Sequence, residues 1–393
     1  MRLISPFLSL VLPVVLFCPD LFAYAEFIGY GYSNCLACHY DGQGGGALTD
    51  EGRALFATEI TARDQFPEEM KEEDIAARSG FLGRQAMPWW IRPGIKYRGL
   101  WLQNNPGSPT KSEKFYPMQN DINLNVFFDK KQTYAVITTA SYTLSPRNFS
   151  SSPEEKTPYW FAKEYYLRWQ TGVKNLWVYA GQMDKVFGIR HPDHTAVNRA
   201  TLGFGPFDQS LGVRMDYTPS LWSLTGQVFF SNADEKTEAR QKGLSLSGDY
   251  EVYEKFRVGG SVLHSKSQLA EGTRLAAFSR LGLSKGSALL AEAGLMRNQG
   301  LLPGAEGAKN GFYAFVESWI LLRRGYNLLS TLEYSKTDLS APALEKMRWS
   351  VGGVLFPVSR TEVRTVLINT KNTVPQTGVP DNWQVQMQLH LSL

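Results

Sequence analysis

The chain has 393 residues, a formal net charge of +4 and a mean hydropathy of −0.26. The near balance of charge and the lack of a basic run exclude a typical nucleic-acid-binding protein, so no nucleic-acid partner is expected. Beyond residue 25 there is no run of about 18 apolar residues, which excludes a helical membrane protein.

Residues 1–25 have the layout of an export signal: a positive start, a mostly apolar run and an Ala-x-Ala cleavage site at residues 23–25. The apolar run is shorter than the about 20 residues that a transmembrane helix needs. A lipid-modified Cys18 is the alternative, and the bulky Phe17 before it argues against that modification. We therefore expect an exported chain that begins near residue 26.

Residues 26–92 form the second predicted region, and they are rich in helix formers. Thr49 or Asp50 is the expected N-cap, and acidic residues stand early in the helical stretches. This pattern predicts two short helices separated near Phe66-Pro67. From about Pro93 to the end of the chain, the apolar period changes to two.

The last segment, DNWQVQMQLHLSL, shows this period most clearly. Its polar face includes Gln384 and His390, and its other face carries six apolar residues: Trp383, Val385, Met387, Leu389, Leu391 and Leu393. Such alternation is typical of a strand with water on one side and lipid or a protein core on the other. Similar segments recur along the chain, and about sixteen follow Pro93, inside the range of about 8–26 found in outer-membrane barrels.

The connections between these segments are of two kinds. Tight turns such as DKK, TGVK and RRG alternate with longer connections at 105–118, 144–157, 183–207, 298–310 and 372–380. Outer-membrane barrels have short periplasmic turns and long extracellular loops, and their mean hydropathy resembles that of soluble proteins. A soluble all-β protein is the alternative, and strands of about 10–13 residues, longer than the usual 5–6, argue against it.

The predicted fold class is therefore all-β: an antiparallel transmembrane barrel of about sixteen strands over residues 93–393, preceded by a small, mostly helical segment at 26–92. The expected location is the outer membrane of a Gram-negative bacterium, with its lipid as a partner. The N-terminal segment would then lie on the periplasmic side or inside the lumen.

The sequence Cys35-Leu36-Ala37-Cys38-His39 suits a disulfide, a metal site or covalent haem. A redox-active disulfide needs a thioredoxin-like βαβ context, which is missing. A tetrahedral zinc site needs four ligands, and residues 26–92 offer only Cys35, Cys38 and His39 as thiolate or imidazole ligands. In a c-type haem, the two cysteines bind the porphyrin and the adjacent histidine binds the iron. The motif therefore predicts one covalent haem c held by Cys35, Cys38 and His39.

The second axial ligand of the iron is less clear from the sequence. Met87 is the first candidate because Met-Pro presents its sulfur from a stiff, non-helical turn, and Met70 is the second. Packing of Met87 against the tryptophans that follow it is the alternative. His191 or His194 would serve only if their loop folds deep into the lumen.

The layout of signal, one Cys-x-x-Cys-His and a barrel resembles the fused monohaem cytochrome–porins of Gram-negative outer membranes, a family that includes outer-membrane iron oxidases. CLACHYDGQGGGALTDEGR is similar to the haem segment of such proteins, and WVYAGQMDKVFGIR at 177–190 resembles a strand-loop signature of phosphate-selective-type porins. The resemblance implies that Cys35 and Cys38 attach the haem and that His39 is its proximal ligand.

The connection at 183–207 is the longest, and in porins such a loop commonly folds into the lumen. It contains His191, Asp193 and His194, which suggest a site for a metal ion or an anionic solute. A solvated loop is the favoured alternative, because two histidines and one carboxylate are few ligands. Arginines on the lumen-facing parity favour an anion-tolerant pore: Arg168, Arg214, Arg274, Arg280 and Arg348.

These features favour an electron-transfer protein. It would pass electrons between an external donor or acceptor, with Fe(II) as a candidate, and a periplasmic cytochrome. The alternative is an anion-tolerant solute porin whose haem segment is a structural or redox-sensing plug. A haem enzyme ranks last, because no distal histidine–arginine pair is evident, so we expect an electron carrier rather than a turnover enzyme. Whether barrels associate into a homo-oligomer stays open.

Overall fold

The computed structural model describes residues 27–393 apart from these gaps: 33–34, 84–86, 107–110, 143–159, 192, 194, 206–207, 231–237, 303–306, 342–344 and 374–381. The expected export signal, including Cys18, lies outside the described residues. No described helix is long and apolar enough to cross a membrane.

The strands, in which apolar and polar residues alternate, pair into a closed antiparallel barrel of sixteen strands. Each strand pairs with the next, and β1 pairs with β16, for example through Arg98 opposite His390. The strands are β1 Ile91–Asn104, β2 Ser112–Phe127, β3 Tyr134–Tyr142, β4 Trp160–Gln170, β5 Leu176–Met183, β6 Ser210–Tyr217, β7 Trp222–Phe229, β8 Lys242–Tyr253, β9 Phe256–Lys266, β10 Ala270–Ser284, β11 Ser287–Gly300, β12 Ala308–Arg323, β13 Tyr326–Lys336, β14 Glu345–Leu355, β15 Thr361–Thr373 and β16 Asn382–Ser392. The predicted fold class and strand number are confirmed.

The two faces of the wall differ as the alternation predicts. On β2 the outward Ile122 and Leu124 are exposed, whereas the inward Asn123 and Asn125 are buried. The outward Met387 on β16 is likewise exposed. The apolar face therefore lies outside the barrel and the polar face lines its lumen, the arrangement that a lipid-embedded barrel requires.

The connections at one end of the barrel are short, and we call this end the turn end. These connections are 128–133, 171–175, 218–221, 254–255, 285–286, 324–325 and 356–360. The opposite end, the loop end, carries the long connection 184–209, which includes a short helix, α3 (Val197–Ala200). The connection expected at 105–118 is shorter, because β2 begins at Ser112. Pro117 is accommodated at a register shift opposite Arg98 and Gly99.

Residues 27–83, which we call the plug, contain the two short helices expected there. These are α1 (Asp50–Leu55), which continues as a π-helical turn (Phe56–Ile60), and α2 (Glu72–Ala77). The hydroxyl of Thr49 accepts the backbone N–H of Gly52 at 2.9 Å, so Thr49 is the N-cap. The plug also contains four short 3₁₀ segments: Phe27–Tyr30, Cys35–Ala37, Arg63–Gln65 and Phe81–Gly83.

The plug packs against the turn end of the barrel. The backbone N–H of Ala62 donates to the carbonyl of Phe356 at 3.0 Å, and Arg324 donates to the carbonyl of Thr61 at 2.8 Å. Phe27 and Ile60 are buried in one cluster with side chains of the inner wall, and the Phe56 ring meets Phe356 edge to face. Apolar burial and backbone hydrogen bonds thus hold the plug in place.

Candidate functional site

The Cys-x-x-Cys-His sequence forms a single helical turn. The N–H groups of Cys38 and His39 both donate to the carbonyl of Cys35, at 3.1 and 2.8 Å. Residues three and four apart on a helix lie on one face, so this turn gathers Cys35, Cys38 and His39 on the same side. The sequence motif is therefore also a spatial cluster.

The turn is tied to the start of α1. Thr49 donates its N–H to the carbonyl of Cys38 at 2.9 Å and its hydroxyl to the carbonyl of Ala37 at 3.2 Å. A Cβ on Gly52 would lie 2.4 Å from the Cys38 carbonyl oxygen, closer than real Cβ atoms come. Glycine at position 52 thus permits α1 to pack against the cysteine turn.

The imidazole of His39 is oriented by the glycine loop that follows it. Its Nδ1 lies 3.2 Å from the carbonyl oxygen of Gly45. A carbonyl only accepts, so Nδ1 carries the proton and Nε2 keeps its lone pair. Burial, together with the nearby Lys96 ammonium, lowers the pKa of His39 to about 3. The neutral ring that binds a metal through Nε2 is therefore the form present at neutral pH.

The two thiols differ from those of a redox-active pair. Burial raises the pKa of the Cys35 thiol, and it raises that of Cys38 to about 12. Catalytic Cys-x-x-Cys pairs instead have a thiol whose pKa is lowered, because the thiolate is the reactive species. The environment of this turn thus argues against thioredoxin-like chemistry.

Asp41, two residues after His39, fastens the turn to the barrel wall. Its carboxylate accepts Arg214 of β6 at 2.7 Å and the Tyr166 hydroxyl of β4 at 2.9 Å. Burial opposes its charge, but the guanidinium groups of Arg214 and Arg190 hold the pKa of Asp41 below its usual value. Asp41 and Arg214 are both almost fully buried, so this is an ion pair of the barrel interior.

The long connection 184–209 folds into the lumen, where polar side chains of the wall satisfy its backbone. The N–H of Val186 donates to Gln227, that of Ile189 to Glu292, and that of Val197 to Glu333, at 2.6–2.9 Å. These acceptors lie on β7, β11 and β13. The loop is therefore held along one side of the barrel.

Arg190, on this inward-folded loop, connects it to the plug. Its guanidinium donates to the carbonyl of Gln43 at 3.0 Å and pairs with Asp184. Glu164 of β4 lies 4.0 Å away. The plug from the turn end and the loop from the loop end thus meet at Arg190.

A cavity of about 550 Å³ lies where the plug, the loop and the wall meet. Cys35, Cys38 and His39 line it from the plug, and Arg190 and His191 line it from the loop. The wall contributes polar and basic side chains, among them Lys96, Arg98, Lys163, Arg257, Arg280 and His390.

The donor set around this cavity suits a covalently attached haem. Two thiols and a neutral imidazole whose Nε2 keeps its lone pair stand on one turn, as the attachment chemistry requires. Gly44, at φ +79°, borders the turn, and an added Cβ would be in ordinary van der Waals contact with Cys35 and His39 at 3.7 and 4.0 Å. Basic side chains such as Lys96 and Arg280 also line the cavity and would match the carboxylates of a haem.

The structure does not bring Met87 into this cavity. Met87 is half-buried just before β1, followed by the exposed Trp89 and Trp90, and it is not among the lining residues. The methionine that does line the cavity is Met118 on β2. Ligation by Met87 thus receives no support from its position and stays a prediction.

The loop cluster predicted at His191, Asp193 and His194 is described only in part, because His194 lies outside the described residues. His191 places Nε2 2.8 Å from Glu317 and Nδ1 3.2 Å from the backbone N of Asp193. The Asp193 carboxylate accepts the N–H and hydroxyl of Thr195. Among the described residues no group of three or more His, Cys, Asp or Glu is arranged to hold a metal ion.

No protein-family model matches this sequence, and no curated protein matches it. Solved structures do match. The outer-membrane channel DcaP of Acinetobacter baumannii is 12% identical with a TM-score of 0.55, and the match covers 77% of this chain and 97% of that one. The trimer form of OmpT, an outer-membrane protein of Vibrio cholerae, is 9% identical, with a TM-score of 0.58 and coverages of 77% and 99%. An anion-selective porin from Comamonas acidovorans is 8% identical, with a TM-score of 0.55 and the same coverages.

At these identities the likeness concerns the fold alone. The chain has the closed, porin-like barrel of these outer-membrane proteins. The resemblance drawn from the sequence is thus supported as far as a porin-like barrel.

Proposed function

We propose that this chain is an outer-membrane barrel of a Gram-negative bacterium that carries one covalent haem c in its lumen and transfers electrons across the membrane. Cys35 and Cys38 attach the haem, and His39 is an axial ligand of its iron. The turn end faces the periplasm, where a soluble cytochrome exchanges electrons with the protein. The other partner is a donor or acceptor outside the cell, with Fe(II) as a candidate donor.

The observation that carries this proposal is the position of the cysteine turn. The apolar band of an outer-membrane barrel is about 25 Å tall, too wide for one haem at the periplasmic surface to bridge. The turn instead lines a cavity that it shares with the inward-folded loop from the opposite end. A haem held there lies between the two ends of the lumen.

The chain's own residues would hold the group and set its surroundings. A haem supplies a one-electron iron couple, whose potential depends on its axial ligands and its burial. His39 presents Nε2 because Gly45 holds Nδ1, and the Asp41–Arg214 pair fixes the turn to the wall. Electron transfer needs little further chemistry from the protein, so no residue is assigned a catalytic role.

A second function is a solute channel whose plug is structural or redox-sensing. The fold neighbours favour it, because they include a channel and an anion-selective porin. The basic residues lining the cavity would suit anions, but several are paired: Arg190 with Asp184, and Lys163 with Asp121 at 3.0 Å. The inward loop and the plug also occupy part of the lumen, which would limit free permeation.

We also propose contact with lipid and self-association. The exposed apolar face provides the lipid contact, and a fold neighbour is described in a trimer form. Native mass spectrometry in detergent is the test. A peak at three times the monomer mass supports a trimer, and a monomer peak alone contradicts self-association.

The two functions are distinguished by measuring haem reduction and ion conductance on the same purified, full-length protein. Electron transfer predicts a c-type haem spectrum that Fe(II) or a reduced soluble cytochrome converts to the ferrous form, with low ion conductance in planar bilayers. The Cys35→Ala/Cys38→Ala variant is the control: it should carry no covalent haem and show no spectral change when the donor is added. High conductance from a haem-bearing barrel that no donor reduces would favour the channel.

A further inference from the structure

A haem held by His39 leaves the second axial position of the iron to another residue. Imidazole nitrogen and thioether sulfur are the usual protein ligands at that position. Besides His39, the described residues lining the cavity include three with such atoms: Met118, His191 and His390. Their hydrogen bonds distinguish them.

His191 and Met118 both have polar neighbours. The Nε2 atom of His191 is bound to Glu317 at 2.8 Å, and its Nδ1 lies against the backbone of Asp193. The sulfur of Met118 accepts the side-chain amide of Gln388 at 3.6 Å. A thioether is a weak acceptor, so this contact is looser than that of His191, but it too would be lost on binding a metal.

His390 has a nitrogen that is not used. Its Nε2 is buried and has no hydrogen-bond partner among the described residues. Its Nδ1 faces the carboxylate of Glu362 on β15, 3.6 Å away, and both side chains are largely buried. A carboxylate beside one ring nitrogen orients an imidazole and strengthens the other nitrogen as a ligand, which is common at metal sites. Buried polar atoms without partners are rare and call for an explanation.

His390 and the cysteine turn line the same cavity. It lies on the lumen face of β16 opposite Arg98 of β1, and Lys96 occupies the next lumen-facing position of β1. The Lys96 ammonium is close enough to act electrostatically on the rings of both His39 and His390. The plug itself reaches this seam, because a Cβ on Gly94 would lie 3.5 Å from Ala47.

We infer that Nε2 of His390, on the last strand of the barrel, is the second axial ligand of the haem iron. The inference rests on the proposed function, since it assumes that His39 is the first ligand. It gives the iron two imidazoles, one from the plug and one from the wall. The iron would then fasten the plug to the closing seam of the barrel, where β1 meets β16.

The test is the spin state of the iron in the full-length protein. We expect low-spin visible and EPR spectra and no carbon monoxide binding to the reduced protein. His390→Ala should become high-spin and bind carbon monoxide, and added imidazole should restore the low-spin spectrum. His390→Met keeps a ligand but exchanges nitrogen for sulfur, so it should stay low-spin with a more positive reduction potential.

Met118→Leu and His191→Gln are matched controls from the same cavity, and both should keep the wild-type spectrum. Heat-modifiable mobility on gels verifies that each barrel is folded. A low-spin His390→Ala variant, a high-spin wild type, or a high-spin Met118→Leu variant would each overturn the assignment of His390. A folded barrel that carries no haem would instead overturn the proposed function.

Discussion

The guanidinium of Arg214 on β6 lies 2.7 Å from the carboxylate of Asp41, two residues beyond His39. The side chains of both residues are almost completely buried, at 0% and 2% exposure. Tyr166 donates to the second carboxylate oxygen, and the guanidinium also stacks 4.0 Å above the ring of Tyr179. The turn that would carry the haem is thus fixed to a rigid strand of the wall.

Asp41→Asn should therefore loosen the plug. Asp216 still pairs with Arg214 at 3.2 Å, so the change removes one charged hydrogen bond of a buried network and costs about 1.5–3 kcal/mol. Hydrogen exchange of the amides in residues 35–60 measures this local loss as faster exchange. Glu72→Gln, which breaks the more exposed pair with Arg324, is the control and should cost about 0–1 kcal/mol. Equal effects of the two variants would show that the buried pair does not hold the plug.

Gly52→Ala should reduce haem attachment, against the usual expectation for a helix. Alanine in place of glycine normally stabilises a helix interior by about 0.5–1 kcal/mol. Here the added Cβ would lie 2.4 Å from the carbonyl oxygen of Cys38, so α1 or the cysteine turn must shift. The measurement is haem per protein in the purified variant. Glu51→Ala, at an exposed neighbouring position, is the control and should load normally; equal loading of both variants would contradict the account.

The docking of the inward-folded loop should weaken as pH rises. Burial lowers the pKa of His191, but the Glu317 carboxylate outweighs burial and raises it above its ordinary value. A raised pKa means that the ion pair is fully present below about pH 6.5 and is lost as pH rises through the folded-state value. Amides of the described residues in 184–205 should exchange faster across that interval.

His191→Gln should lack this pH-dependent component, because glutamine does not titrate. His264→Gln changes a half-buried histidine that does not line the cavity, serves as the matched control and should behave as wild type. The same pH dependence in His191→Gln would assign the effect to another group.

The barrel was predictable from the sequence because a lipid-facing wall imposes a period of two on each strand. The alternation in DINLNVFFD sets Ile122 and Leu124 on one face of β2, and both are exposed on the outside of the barrel. Strand ends were less predictable. Residues 112–118 extend β2 beyond the alternating segment, and only their pairing with β1 shows that they form a strand.

The cavity was less predictable, because its residues come together only in the folded chain. Cys35, Cys38 and His39 are adjacent in sequence, so their spacing identified them. Asp41 and Arg190 are 149 positions apart and contribute to the same charge network, which no local pattern signals. From the sequence, His390 could be identified only as one residue of the polar face of the last strand. Its approach to the plug depends on closure of β16 onto β1.

The covalent haem is tested most directly by the intact mass of the purified full-length protein after denaturation. We expect a mass that exceeds that of the mature polypeptide by one haem. We also expect that Cys35→Ala/Cys38→Ala loses this increment while the barrel keeps its heat-modifiable mobility. A wild-type mass equal to that of the bare polypeptide, from protein made in cells with a functional cytochrome c maturation pathway, would contradict covalent haem attachment.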